Sequence, residues 1–567
     1  MQKKSFLWSI FVVSGLLFFW VLVSGETKHT NTPVIADQPS SVALAQTATA
    51  SSATPVTPQQ PIANQSTALV STPAEVAQGE LLQFKTGVYD IEIQTKGATL
   101  TKLELLKHQY EDGQPVRLAN NTLNHKQLFE SGLKAKSPQN QLLPDENTVF
   151  RLVSPQKALG DQDQTLTLSF EAEKGGVKLT KTYVFAKDKY DIALRYDVQN
   201  IGSSAVQADL FQRLTRDANA LPGESSLFQA FKGMAVYTDK SFYQKIHYSD
   251  VDKDKAKFDA EAGQGWVAQV QHYFVLALSS EGPRVNEVQK IGTNYYGVGQ
   301  RISMPNLAPK EQFSFSSKLY AGPQIQKDLV AFSPSLDVVV DYGWLTFLAK
   351  PLFWLLGFLQ SFIGNWGWTI IALTILIKLV FFPLSASGYR SMSKMRDLAP
   401  RMLELRQRHK DDRIRQQQEM MKLYQQEKVN PLGGCLPMII PIPVFLALYW
   451  VLLGSVELRG AHWLWITDLS SKDPWYILPI LMAASSFVQA KLSPPPTDPV
   501  QAKMMLYMPL VFSVMFVWFP AGLVLYWVIN NLFSIAQQWW INHSMDKQKA
   551  EQKIAQKSGH KSQKPQK

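Results

Sequence analysis

A single cysteine, Cys435, stands in 567 residues. One thiol makes no intramolecular disulfide and supplies no Cys-rich zinc cage, so a disulfide-stapled secreted scaffold and a zinc ribbon are both excluded. Any domain outside the cytoplasm must fold on its core alone. Charge is also scarce, at 18% of residues against 46% from the hydrophobic set, with a net charge of +11. That balance is too apolar for a disordered chain. The sequence holds no HExxH, no Gly-x-Ser-x-Gly elbow and no GxxxxGK[ST], which removes the zincin, hydrolase and P-loop nucleotide classes. No catalytic residue, cofactor or metal is expected.

What is present changes along the chain. An apolar block over residues 5–23 follows Lys3 and Lys4 and is long enough to cross about 30 Å of hydrocarbon. Its length and its poor cleavage site favour an uncleaved anchor, with the lysines holding the N-terminus in the cytoplasm. Residues 27–80 are Ser, Thr, Ala, Pro and Gln with almost no aromatics, a tether that cannot bury enough surface to order itself. From about residue 82 to 323 apolar and polar residues alternate, as in Tyr89, Ile91 and Ile93 against Asp90, Glu92 and Gln94, and again in TLTLSFEAE and DIALRYDVQN. Period two with turn residues between runs predicts one large antiparallel β-sandwich. Its histidines, among them His108, His125, His247 and His272, fall in no metal-ligand spacing.

Beyond Pro334 the chain is membrane-like. Residues 342–363 carry Trp344 and Trp354 but also Lys350, Pro351 and Gln360. They read as a helix in the interface, split by the proline. Spans are predicted at 366–384, 436–453, 475–490, 504–519 and 521–540, six with the anchor. Parity then puts the segment 386–430, rich in Arg and Lys, inside, along with a C-terminal tail bearing seven lysines, and the sandwich outside. Polar residues within the spans (Ser485, Ser486, Gln489, Asn530, Asn531, Gln537, Gln538) should face one another or a wet cavity.

Lys378 is the most informative residue. It lies ten residues beyond Trp368, about 15 Å along a helix and so near the bilayer middle, while no Asp, Glu or His occurs in any span. Either it snorkels to the cytoplasmic surface or it awaits water or an acidic visitor. The absence of intramembrane carboxylates and histidines disfavours a proton relay. Segment 388–429 reads as two helices broken at HKDD (409–412), with Met392, Met395, Ala399, Met402, Ile414, Met421 and Tyr424 along an apolar seam. Arg396, Arg401, Arg408, Lys410, Arg413 and Arg415 lie on a basic surface that suits anionic lipid or ribosomal RNA. Cys435 reads as a small buried residue, and Gly433 and Gly434 as a tight entry to the third span.

The runs KVNPLGGCLPMIIPIPVFLALYWVLLGSVELR (428–459) and WFPAGLVLYWVINNLFSIAQQ (518–538), with the order of elements along the whole chain, resemble the YidC membrane protein insertase family in its long Gram-negative form. The resemblance implies six transmembrane α-helices, an anchor plus a five-helix core, with a large periplasmic antiparallel β-sandwich and a cytoplasmic helical hairpin. The limits so implied are 1–26 anchor, 27–80 linker, 81–333 sandwich, 334–364 interfacial helix, 365–541 core including the hairpin 386–430, and 542–567 basic tail. It further implies insertion and folding of inner-membrane proteins without covalent chemistry, through a hydrophilic groove whose positive charge meets the polar flank of a client. The groove residues would be Lys378, where the family usually has Arg, Thr374, Tyr526, Trp527, commonly Tyr, Asn530, and Pro441, where many relatives carry Gln. Expected partners are nascent membrane proteins, the SecYEG translocon, ribosomes and targeting factors at the hairpin and tail, and membrane lipids. DNA is not among them.

Overall fold

The computed structural model describes residues 79–561 except 111, 123, 137–141, 157, 161, 222–230, 428, 430–440 and 494–498. The expected anchor, nearly all of the tether, Cys435 with Gly433 and Gly434, and the last six residues lie outside the described residues.

The alternating region forms two nine-stranded sheets. One runs in the order Leu81–Lys85, Tyr89–Gln94, Thr99–Gln109, Pro115–Asn121, Lys126–Ala135, Ala208–Asp217, Tyr295–Ser303, Arg284–Gly292, Glu261–Ala262. The other runs Phe242–Ile246, Gly233–Thr238, Gly265–Val270, Phe274–Ser280, Gln312–Pro323, Asp191–Asn200, Val177–Ala186, Thr165–Lys174, Arg151–Leu152. Neighbouring strands are antiparallel, as in Val177↔Asn200 through Phe185↔Ile192. Strand Val177–Ala186 shows why the sequence folds this way: every odd-numbered residue from Val177 to Phe185 is buried and every even one is half-buried, so one face seals the core and the other meets solvent. Tyr89, Tyr183, Phe129, Phe170 and Phe185 fill the space between the sheets, while Trp266 is buried with its indole N–H on Ser335 Oγ at 3.2 Å. Tyr183 meets Phe129 and Phe170 edge-on at 6.5 and 6.1 Å between centroids, a favoured aromatic geometry.

One odd-numbered position of that strand is a lysine. Lys181 is fully buried; its Nζ donates to the carbonyls of Gly97 (2.8 Å) and Ser131 (2.5 Å) in the facing sheet and lies 4.5 Å from the Phe150 ring centroid. Burial pushes its pKa down from 10.5 to about 7, partly opposed by the fields of Glu146, Asp145 and Glu130.

After the sandwich come the short helix Gln326–Phe332 (α1), then α2 (Thr346–Ile363), α3 (Trp366–Val380), α4 (Phe382–Arg408), α5 (Arg413–Gln426), α6 (Pro441–Gly454), α7 (Ile477–Leu492), α8 (Pro499–Met515) and α9 (Ala521–Lys561). Helix α2 buries Ala349, Leu352 and Leu356 and packs on α3 and α6. Phe347, Trp354, Phe358 and Phe362 stay exposed. Pro351, expected to split this segment, sits inside α2. Near the helix start its missing N–H interrupts only one backbone bond, so the helix continues through it. By length and composition Gly343–Ile363 is the one described helix apolar and long enough to cross a bilayer alone; α3 and α4 pass that test as a pair bent by 65° at Phe381. Helices α6, α7 and α8 are shorter apolar helices over their described residues.

The break expected at HKDD occurs: α4 ends at Arg408, and Asp412 caps α5 by accepting from the Arg415 N–H at 3.0 Å. The apolar seam differs from expectation. Leu398, Met402, Leu423 and Val429 form it with Met395, Met420 and Tyr424 beside them. Ile414 and Met421 are exposed, because the inward face of α5 follows residues 420, 423 and 424 and places 421 about 100° away. Met392 joins Ala386, Tyr389 and Ile541 instead, against α9.

The sandwich and helices belong to one compact unit and meet at the loop following α6. There the Arg459 guanidinium donates to the Gln109 carbonyl (2.6 Å) and lies 5.3–5.9 Å from the ring centroids of Tyr110, Tyr273 and Phe274, a cation–π box. Next to it, His272 Nε2 reaches the Leu453 carbonyl at 2.9 Å. Burial, then the charges of Arg459 and Lys107, push His108 down to about 4, so its imidazole is neutral at pH 7. None of the four singled-out sandwich histidines joins a cluster of metal-ligating side chains among the described residues.

Candidate functional site

The candidate site lies where α3, α4 and α9 meet. Helix α3 starts with Asn365, whose side chain accepts from the Trp368 N–H at 3.2 Å, and its apolar residues lead to Lys378 in the last turn before the bend. Lys378 is half-buried, and its Nζ donates to Ser534 Oγ on α9 at 2.7 Å. Ser534, 3% exposed, donates in turn to the Asn530 carbonyl one turn earlier at 2.8 Å. Tyr389 of α4, 4% exposed, lies within interaction range of the same serine. The residues of α3, α6, α7, α8 and α9 up to Trp540 include no Asp, Glu or His, so Lys378 keeps its charge uncompensated by any carboxylate from these segments.

Polar groups on α9 meet partners on neighbouring helices, as the sequence predicts. Asn531 Nδ2 donates to Ser486 Oγ (2.9 Å) and Ser485 Oγ (3.2 Å) on α7, and Gln538 Nε2 to the Leu492 carbonyl (3.0 Å). Gln537 Nε2 reaches the Phe382 carbonyl just past the α3–α4 bend (3.3 Å). In an apolar surround each such pairing avoids leaving a buried polar group unmade.

Of the predicted groove residues, Lys378 is linked to Asn530 only through Ser534, which reaches the Asn530 backbone carbonyl. Thr374, one turn before Lys378, is buried and donates to its own helix at Ile370 O (2.7 Å). Tyr526 and Trp527 belong to an aromatic cluster one to two turns nearer the start of α9: Phe445 of α6 lies 4.6 Å from Trp527 edge-on and 6.4 Å from Tyr526, with Phe516 5.6 Å from Trp527. Tyr526 is 2% exposed. Pro441 opens α6, one turn before Phe445. Thus the site has a polar end around Lys378 and an aromatic end around Trp527.

The basic side chains of α4 and α5 divide. Arg401 pairs with Glu427 at 2.6 Å, and Arg396 approaches Asp546 of α9 at 3.7 Å. Arg408, Lys410 and Arg415 are exposed; the side chain of Arg413 is outside the described set. Sequence reasoning missed Ser534 and Tyr389. The signal for Ser534 was its spacing: Asn530, Ser534, Gln537 and Ile541 recur at four, three and four along α9, one stripe of a helix.

Residues 358–549 match the family described as 60Kd inner membrane protein, and residues 81–355 the YidC periplasmic domain. A membrane protein insertase YidC of Ralstonia nicotianae is 48% identical over 562 residues, covering 96% of this chain and 98% of its own. Another of that name from Cupriavidus taiwanensis is 48% identical over 557 residues, covering 97% and 98%. A crystal structure described as an active YidC insertase with its first transmembrane domain resolved is 18% identical, with a TM-score of 0.36 over 81% of this chain and 94% of that one.

Proposed function

Since the chain belongs to the YidC family of membrane protein insertases, we propose that Lys378 is the groove charge through which it inserts its clients. The protein is an inner-membrane insertase with a periplasmic domain, and its work is not enzymatic. The observation that carries the reading is the half-buried ammonium of Lys378, held by a neutral hydroxyl on α9, whose residues up to Trp540, like those of α3, include no carboxylate.

Insertion of an apolar helix is downhill by roughly 0.3–0.6 kcal/mol for each strongly apolar residue. The polar flank is the obstacle. Lys378 serves as a transient counter-charge for an acidic flank, Thr374 and Asn530 line the polar end, and Tyr526, Trp527 and Pro441 present an apolar wall to the client's helix. Short helices thin the bilayer around the site and shorten the low-dielectric path. An outward-moving negative charge also gains about 2.3 kcal/mol per 100 mV.

The topology that suits this scheme has six spans with both termini cytoplasmic, α2 lying in the periplasmic interface with its exposed aromatics among headgroups, and α4–α5 forming a cytoplasmic hairpin. The domain limits follow the sequence reading, with the sandwich over 81–333 and the core over 365–541. Nascent membrane proteins are the clients. Arg396, Arg401, Arg408, Lys410, Arg413 and Arg415 receive ribosomes, targeting factors or anionic lipid, and SecYEG meets the periplasmic domain and the core.

The test is insertion into liposomes containing only this protein, read by protease protection of single-span clients with acidic or neutral translocated tails. Lys378→Arg retains insertion of both. Lys378→Ala lowers acidic-tail insertion about tenfold, and Lys378→Glu abolishes it while sparing neutral tails. Equal insertion of acidic tails by all variants would sink the groove-charge reading.

A further inference from the structure

We infer that Ser534 is a positioning residue for insertion, holding the Lys378 ammonium in the groove without neutralising it. The inference rests on the reading of Lys378 as the groove charge and names the residue that keeps it there.

A lysine near a helix end has four flexible carbons and lowers its energy by swinging its ammonium to the nearest water. Lys378 stands in the last turn of α3, two residues before the helix stops at Val380, so that escape route is short. Ser534 closes it. Its oxygen accepts from Nζ at 2.7 Å and its own proton goes to the Asn530 carbonyl at 2.8 Å, which aims a lone pair at the lysine. A hydroxyl has one proton and two acceptor sites; with its proton committed to its own helix, Ser534 turns its acceptor side to the lysine across the α3–α9 contact.

The acceptor type matters as much as the geometry. An Asp or Glu in this place would bind the ammonium more tightly and cancel its charge, leaving nothing for an acidic flank. A hydroxyl holds the ammonium through one of its three N–H donors and leaves the charge whole. Among the described residues nothing takes the other two donors, which are left for water or a client carboxylate.

The experiment uses the full chain in liposomes and two single-span clients whose short translocated tails differ only as Asp against Asn. Ser534→Ala lowers acidic-tail insertion about tenfold, the scale of one lost hydrogen bond to a charged group, and leaves the neutral tail unchanged. Ser534→Thr, which keeps the hydroxyl, restores it. Ser534→Asp keeps the position but loses the preference for acidic tails. In a Lys378→Ala background, Ser534→Ala has no further effect. If Ser534→Ala slows both clients alike, or still lowers acidic-tail insertion without Lys378, the serine acts on packing and the inference is overturned. If Lys378→Ala lowers acidic-tail insertion while Ser534→Ala does not, positioning alone is overturned and the groove charge stands. If Lys378→Ala itself leaves acidic-tail insertion intact, both readings fall together.

Discussion

Two lysines, Lys181 fully buried in the sandwich and Lys378 half-buried in the helical core, show how differently the two regions treat a charge. Lys181 spends two donors on carbonyls of the facing sheet and rests on the Phe150 ring, with Glu146, Asp145 and Glu130 near enough to be felt. Lys378 spends one donor, on a neutral oxygen. The first is consumed by the fold as a strut between sheets. The second is presented by it. Counting donors used against donors left, beside the difference in burial, separates a structural lysine from an available one.

The sharpest break of that comparison is charge reversal at each site. Lys181→Glu is expected to unfold the sandwich, because it sets a carboxylate against two buried carbonyls with nothing to pair it, and circular dichroism of the membrane-reconstituted protein should lose its β signal. Lys378→Glu should leave that signal and the melting midpoint in place. Should both reversals leave the sandwich intact, the division between strut and offered charge fails.

A second, graded effect concerns pH. Between about pH 7 and 10.5 the folded chain has released the Lys181 proton that the unfolded chain still binds. Stability of the sandwich therefore rises with pH across that window, by at most about 1.4 kcal/mol per unit from this one group. Below pH 7 both states carry the proton and the penalty of burying it is fully present. Chemical denaturation followed by Trp266 fluorescence should show this slope, and Lys181→Met should flatten it.

The smallest expected effect is at the joint. Arg459→Ala removes a cation–π box worth about 1 kcal/mol, and hydrogen exchange should quicken at residues 108–110 and 272–274 without change around Lys378. Arg459→Lys should fall between. Exchange that also quickens in α3 would mean the two regions do not behave as separately as their lysines suggest.

Most of the sandwich was legible because period-two alternation is a local signal: Val177–Ala186 announces its own faces. The pairing of Lys126–Ala135 with Ala208–Asp217 was not, since nothing local says which strand crosses 70 residues to lie beside another. In the core, Lys378 stood out because a charge in an apolar run is costly wherever it lies. Ser534 did not, because a serine in a membrane helix commonly bonds its own backbone, and only the neighbouring helix shows that this one also receives a lysine. Ile414 and Met421 misled for a related reason: the phase of a short amphipathic helix is set by its partner, and α5 turns 420 and 423 inward. The role of Arg459 was not legible, because its box is assembled from Gln109–Tyr110 and Tyr273–Phe274, about 160 residues apart in sequence.

Helix α9 runs without a break from Ala521 to Lys561, about 60 Å at the helical rise and twice the thickness of hydrocarbon. The oxygen that steadies Lys378 is thus mounted on the same rod as Asp546, which faces Arg396 on α4, and as Ile541, which packs on Met392. A rod has no slack. The α4–α5 pair is therefore coupled through one continuous helix to Ser534, and a push on its outer end would be carried along that helix to the Lys378 contact.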